Sequence, residues 1–175
     1  MFNSLLSKRL EISKIISAFS VKENLEFFKQ KNLNINPNTL KALKNQAHPF
    51  KILEGDVMCH YPYGKFFDAL ELEKESERFL KKEAVPTGLL DGKKALYAKN
   101  LSLEIEKEFQ HNLLNSHAKT LGSRRFFWVF VENITSQYVK EKAQFELGFY
   151  LPKGSYASAL LKEIKHEKGE NNDEF

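Results

Sequence analysis

Apolar residues recur with helical spacing through the first part of the chain. Phe2, Leu5, Leu6, Arg9, Leu10, Ile12, Ile15, Ile16 and Phe19 outline one amphipathic helix with an apolar stripe. Two more helices are expected at about 21–31 and 38–46, with Pro37 suited to a first-turn position. His48-Pro49 ends the helical run, because a residue before proline is pushed out of helical geometry. The pattern then changes. Residues 50–61 and 65–70, separated by Pro62-Tyr63-Gly64, predict a β-hairpin. Residues 71–83 are densely charged and predict a helix that buries Leu72, Phe79 and Leu80.

Residues 84–92 contain Pro86, Thr87 and Gly88 and are expected to form a loop. Ser102 is placed to cap a helix over 103–112, with Glu104 and Glu106 near its positive end. Arg125-Phe-Phe-Trp-Val-Phe-Val131 is an apolar run of high strand propensity, expected to be a strand buried on both faces. Residues 134–139 form a second strand or a connector. Residues 144–151 form a third, with Phe145, Leu147, Phe149 and Leu151 on one face. Residues 168–175 are polar and acidic and are expected to fray. The fold class is α+β.

Composition narrows the class. The chain has 175 residues, 42% of them hydrophobic and 13% aromatic, enough for a packed core. The single Cys59 excludes a disulfide framework and fits a reducing compartment. No apolar run approaches membrane-spanning length, and Lys8, Arg9 and Glu11 break up any signal-peptide core, so a soluble, cytoplasmic protein is expected. The net charge of +4 is uneven: residues 1–51 hold nine Lys and Arg against three acids. A basic first third suits a phosphate backbone, and it equally suits lysine-rich solvated helices.

Metal and nucleophile chemistry find no support. Cys59 and His60 are adjacent on a predicted strand and face opposite sides, and His111 and His117 lack a helix-face metal spacing. No nucleotide-binding glycine loop or nucleophile elbow is present. Asp56, after Gly55, is best read as a turn-former bonding its own backbone. The stretch with most chemical potential is 144–164. Pro152 has no N–H for a ladder and should stop the strand, Lys153 and Gly154 make the turn, and Ser155 is placed to cap a helix carrying Ala159, Leu160 and Ile164. A helix start presents free N–H groups that favour an anion, and Tyr156 at the first helical position is able to lay its ring over a planar base. Ordinary packing would also account for a Gly, a Ser and a Tyr there.

Residues 151–158, Leu-Pro-Lys-Gly-Ser-Tyr-Ala-Ser, followed by Leu161-Lys162-Glu163, resemble the C-terminal signature of the TruD family of tRNA pseudouridine synthases. Ser158 stands where threonine is commoner, and Lys162 where arginine is commoner. Phe2-Asn3, Arg9-Leu10, Gly55-Asp56, Pro86-Thr87-Gly88 and the Arg124-Arg125 pair resemble further family features. The resemblance places Met1 inside the family's insertion domain, so that the chain reads as a C-terminal fragment. It implies that residues 1–116 are part of a mostly helical insertion domain with a hairpin. Residues 117–175 are then the last strands and final helix of the catalytic sheet.

The resemblance implies isomerisation of a uridine in tRNA, often at position 13, to pseudouridine without metal or organic cofactor. The family's catalytic aspartate follows a lysine near the N-terminus. Asp56, Asp68, Asp91 and Asp173 do not follow a lysine, so the isolated chain is expected to be inactive. The family's loop from asparagine to phenylalanine, which helps hold the target base, is likewise expected upstream. Tyr156, Ser155 and Gly154 correspond to the base-pocket wall. Arg124, Arg125, Lys93, Lys94 and Lys153 are expected to contact RNA, with a salt bridge open as an alternative for the arginine pair and a surface turn for the lysines. The expected partners are tRNA, the missing N-terminal part of the protein and a second copy, through the strand edge at 125–131. The alternatives are a non-catalytic RNA-binding module and an interaction domain with no RNA role.

Overall fold

The computed structural model describes residues 2–109 and 121–165, and within them the chain forms two compact units, 1–128 and 129–175. The first unit opens with three helices, α1 (Phe2–Ala18), α2 (Val21–Gln30) and α3 (Pro37–Asn45). Local chemistry sets their starts. Ser20 and Glu23 form a reciprocal capping box on α2, and the Asn36 carboxamide accepts the Thr39 N–H at 2.8 Å ahead of Pro37 on α3. The α1 stripe buries Leu5, Ile12 and Ile16, while α2 buries Phe28 and α3 buries Leu40 and Leu43.

The hairpin is present as β1 (Val57–His60) and β2 (Phe66–Asp68), antiparallel with Val57 opposite Asp68. After α4 (Leu72–Leu80) the chain departs from expectation. Residues Ala84–Leu90 form β3, one of the two inner strands of a sheet ordered β2-β1-β3-β4, and not a surface loop. Six of its seven residues are buried, so β3 takes the doubly covered position expected of the run at 125–131. Proline is tolerated because Pro86 supplies only its carbonyl, which accepts the Phe127 N–H at 2.9 Å just beyond the β4 ladder. Gly88 admits the rings of Phe127 and Phe2, whose carbons would lie 2.4 and 2.9 Å from any Cβ there.

β4 is short, Ser123–Phe126, and pairs with β3. The aromatic residues that follow it leave the ladder: Phe127 stacks on Phe2 at 5.7 Å, and Trp128 packs edge-on against His48 at 4.7 Å. The division between the two compact units falls after Trp128. Helix α5 spans Asn100–Lys107 and starts ahead of the expected Ser102 cap. Glu108 and Phe109, expected in this helix, form a turn after it, and residues 110–112, with His111, lie outside the described residues, as do His117, Asp173 and the acidic tail.

The second unit holds β5 (Glu132–Val139), a short 3-10 turn at Lys140–Lys142, β6 (Gln144–Tyr150) and α6 (Ala157–Ile164). β5 and β6 form a two-stranded antiparallel ribbon in which Tyr138 faces Phe145 and Ser136 faces Leu147. Pro152 is the only buried residue among those described in this unit. Ile134, Tyr138 and Phe145 are each about three-fifths exposed, at 61%, 59% and 65%.

Candidate functional site

The strand–turn–helix of the second unit closes through one backbone bond. The Ser155 N–H donates to the Pro152 carbonyl at 3.1 Å, and Gly154 has φ of +90°. A four-residue turn with positive φ at its third position favours glycine there. Ser155 is not the helix cap. Tyr156 is the cap residue, with φ of −113° and no side-chain cap bond, and α6 begins at Ala157. The tyrosine ring thus stands one residue before the helix and is 64% exposed. Nothing lies within 4 Å of a Cβ built on Gly154, so the turn backbone faces open space. Lys153 and Gly154 are exposed beside it, and Ser155 is half-buried. An exposed ring next to an approachable backbone turn is suited to a flat, polar ligand.

The cationic residues of the first unit separate by environment. Arg124 is inside the protein, against the expectation that it contacts RNA. Its Nη1 lies 2.7 Å from Glu106 Oε1, and the guanidinium also donates to the Thr87 hydroxyl, the Thr87 carbonyl and the Leu96 carbonyl at 3.1, 2.5 and 3.0 Å. A guanidinium so engaged has no fork to offer a phosphate. Arg125, on the opposite face of the strand, is half-buried with its guanidinium 5.0 Å from the Phe2 ring centroid. Lys93 and Lys94 are exposed in the segment after β3, where the Lys94 N–H donates to the Leu121 carbonyl at 2.7 Å.

Glu106 is the residue that sequence reasoning missed. On α5 the buried residues are Leu101, Ser102, Ile105 and Glu106, so a carboxylate sits on the inward face. A glutamate in phase with the apolar stripe requires a buried cation, and that was the available signal. Burial pushes the Glu106 carboxyl up from its ordinary range, against the opposing pull of Arg124. Deeper in the same unit Arg9 holds Asp56 through two contacts, at 2.5 and 2.7 Å. Asp56 Oδ2 also accepts the Leu53 N–H at 2.8 Å, which is the turn-forming role expected of it. Ser102, expected as a cap, turns its hydroxyl inward onto Asp56.

These partners bear on catalysis. Asp56 is fully buried in its ion pair, Asp68 pairs with Lys99 at 2.6 Å, and Asp91 accepts the Tyr97 hydroxyl at 2.7 Å. That bond is the main reason the Tyr97 phenol is pushed up to about 12. Each described aspartate therefore has a side-chain partner, in the interior for Asp56 and at the surface for Asp68 and Asp91. Two open depressions, lined by residues of the β5–β6 ribbon and by residues around Asn36 and Asn100, include none of the expected site residues.

The sequence profile described as tRNA pseudouridine synthase D (TruD) matches residues 36–164. The chain is 96% identical over all 175 residues to a protein of Helicobacter pylori strain Shi470 named tRNA pseudouridine synthase D, covering 46% of that protein's length. It is 46% identical over 168 residues to the protein of that name in Sulfurimonas denitrificans, covering 96% of this chain and 44% of the relative. A solved TruD structure from Methanosarcina mazei aligns with a TM-score of 0.48 and 22% identity, over 65% of this chain and 31% of that one. The chain thus spans just under half the length of the curated relatives it matches. With the profile running from α3 to the end of α6, the chain belongs to the TruD family.

Proposed function

We propose that this chain is a part of a tRNA pseudouridine synthase that forms RNA contacts and one wall of the base pocket, and that the catalytic acid is supplied by residues outside it. The observation that carries the reading is the 151–158 turn: an exposed Tyr156 follows a glycine turn with open space at its backbone. A uracil must leave the stack to be isomerised, and an aromatic wall beside an approachable backbone suits an extruded base. Stacking on one ring is worth roughly 1–3 kcal/mol. Lys153, Arg125, Lys93 and Lys94 supply phosphate contacts in this reading.

The burial of Asp56 in its ion pair with Arg9, together with the surface contacts of Asp68 with Lys99 and of Asp91 with Tyr97, supports the second half of the proposal. Residues 1–116 correspond in this reading to the insertion domain, and residues 117–175, which include the β5–β6 ribbon and α6, to the end of the catalytic sheet. The exposed apolar positions Ile134, Tyr138 and Phe145 are covered by the rest of the longer protein, and without it the chain self-associates through them. The deciding experiment measures pseudouridine formation on tRNA by this chain and by the full-length Helicobacter pylori relative. Turnover by the relative, lost on Tyr156→Ala and absent from this chain alone, is expected. Turnover by the chain alone would overturn the assignment of the acid elsewhere.

A further inference from the structure

The turn between β1 and β2 carries a composition unlike the rest of the first unit. Residues 60–67 read His-Tyr-Pro-Tyr-Gly-Lys-Phe-Phe, with no acid and, apart from Pro62, no aliphatic side chain. Tyr63 is 65% exposed and Phe66 44% exposed, and Lys65 between them is exposed as well.

This tip is braced from below. The Gly64 N–H donates to the His60 carbonyl at 2.7 Å, and the His60 N–H donates to the Lys65 carbonyl at 3.2 Å. A Cβ at Gly64 would lie 2.3 Å from the His60 Cβ, so the turn is closed tightly onto that histidine. The His60 ring packs on Phe67 at 4.6 Å, and Arg78 donates to its Nδ1 at 2.8 Å while lying 4.8 Å from the Phe67 centroid. The exposed rings therefore project from a fixed base. Close by, the Tyr61 N–H donates to the Glu83 carbonyl at 2.9 Å, which sets the exposed Lys81 and Lys82 next to the tip. Among the neighbouring acids, Glu75 pairs with Arg78 at 2.8 Å, Glu83 lies 3.8 Å from the same guanidinium, and Glu77 makes a long, exposed contact of 4.0 Å with Lys81.

We infer that the β1–β2 tip is an RNA contact that stacks unpaired bases on Tyr63 and Phe66, with Lys65, Lys81 and Lys82 tracking the adjoining phosphates. A patch meant for another protein's core would carry aliphatic residues. Rings interleaved with cations are what single-stranded nucleic acid takes, because every base has a π-face and every linkage a charge. The contact is tolerant of sequence, for none of the unpartnered buried polar side chains among the described residues lies in the 60–67 stretch. The occupant is an unpaired stretch of RNA. The inference rests on the tRNA reading above and adds to it a surface remote in sequence from the 151–158 turn.

The test is anisotropy of labelled oligouridine and of a labelled tRNA transcript with this chain, over a range of salt. Tyr63→Ala and Phe66→Ala are each expected to weaken oligouridine binding roughly fivefold or more. Tyr63→Phe and Phe66→Trp should restore it. Lys65→Gln should lower the salt slope by about one, which the ring variants should leave unchanged. Undiminished binding by both alanine variants would overturn this inference while leaving the tRNA reading to the turnover assay. So would a change in sedimentation without a change in RNA affinity, which would mark the tip as a self-association surface. Absence of oligouridine binding by the unaltered chain at low salt would also overturn it.

Discussion

Arg124 and Glu106 meet at 2.7 Å inside the first unit, with side chains 1% and 3% exposed, and through this pair α5 is tied to β4. Neighbouring residues on a strand point to opposite faces, so Arg124 is turned into the protein while Arg125 lies over Phe2. Two adjacent arginines thus have different work. Removing one member of a buried, hydrogen-bonded pair leaves the other charge without compensation, at a cost of about 3–5 kcal/mol. Arg124→Ala is therefore expected to lower the urea midpoint strongly. Replacing both residues together by apolar ones, Arg124→Met with Glu106→Leu, should cost less than either single change. For tRNA binding the order reverses: Arg125→Ala should reduce the salt slope, whereas Arg124→Ala should not while the protein stays folded. An Arg124→Ala protein as stable as its parent would refute the structural role.

Two glycines with positive φ should respond differently to the same substitution. Gly55 has φ of +82°, and a Cβ there would lie 2.1 Å from the Lys99 carbonyl oxygen, a backbone atom that cannot swing away. Gly154 has φ of +90° but nothing within 4 Å. Strain from left-handed backbone alone is about 1–2 kcal/mol. Gly154→Ala should cost about that much, and Gly55→Ala distinctly more, because the approach of Lys99 to the Gly-Asp turn must also open. Denaturation of the two variants under one set of conditions checks the order, and equal losses would count against it.

His48 makes stability depend on pH. It is buried against Phe79 at 4.0 Å and Trp128 at 4.7 Å, and its Nδ1 accepts the Phe50 N–H at 3.0 Å. Burial is the main cause that pushes its pKa below the ordinary 6.5, against the Phe50 carbonyl, and Lys51 adds to the lowering. A depressed pKa means that the folded protein prefers the neutral ring. The contribution is complete above about pH 6.5 and is lost as pH falls through the folded value. Thermal midpoints should decline on acidification from pH 7, and His48→Gln should flatten that part of the curve. An unchanged slope in the variant would show that other groups are responsible.

Much of this arrangement was legible before any coordinates. Helices α1 to α4, the β1–β2 hairpin and the β5–β6 ribbon follow periodicities confined to their own residues. The misses share a cause. In Ala84–Leu90 the local chemistry of Pro86, Thr87 and Gly88 argues for a loop, and strand formation is decided by partners far away in sequence, Val57–His60 and Ser123–Phe126. The run at 125–131 has the composition of a buried strand, yet Phe127 and Trp128 are taken up by aromatic packing with Phe2 and His48. At the candidate site, Tyr156 and the Gly154 turn were visible as a motif. The burial of Arg124 was not, because its partner Glu106 is distant in the chain and is identified only by its phase on α5.

The two units should differ in how they hold their backbone hydrogen bonds. β3 is paired on both sides and covered on both faces, so its amides are expected to exchange only with global opening of the first unit. Among the described residues the β5–β6 ribbon has two strands with neither outer edge paired, and Pro152 is the one buried residue in its unit. A two-stranded ribbon without a covering layer is marginal in water. Ala143 adds to this, with φ of +49° at the turn between its strands, a conformation that favours glycine. Hydrogen exchange on the isolated chain should thus show strong protection in β1 and β3 and little in β5 and β6. In the full-length relative the ribbon should gain protection, because there the apolar positions Ile134, Tyr138 and Phe145 acquire a cover. Ala143→Gly should raise the ribbon's protection in both contexts by relieving the turn. Equal protection of β3 and β6 in the isolated, monomeric chain would mean that the ribbon is stable by itself, and the proposed need for the rest of the protein would fall.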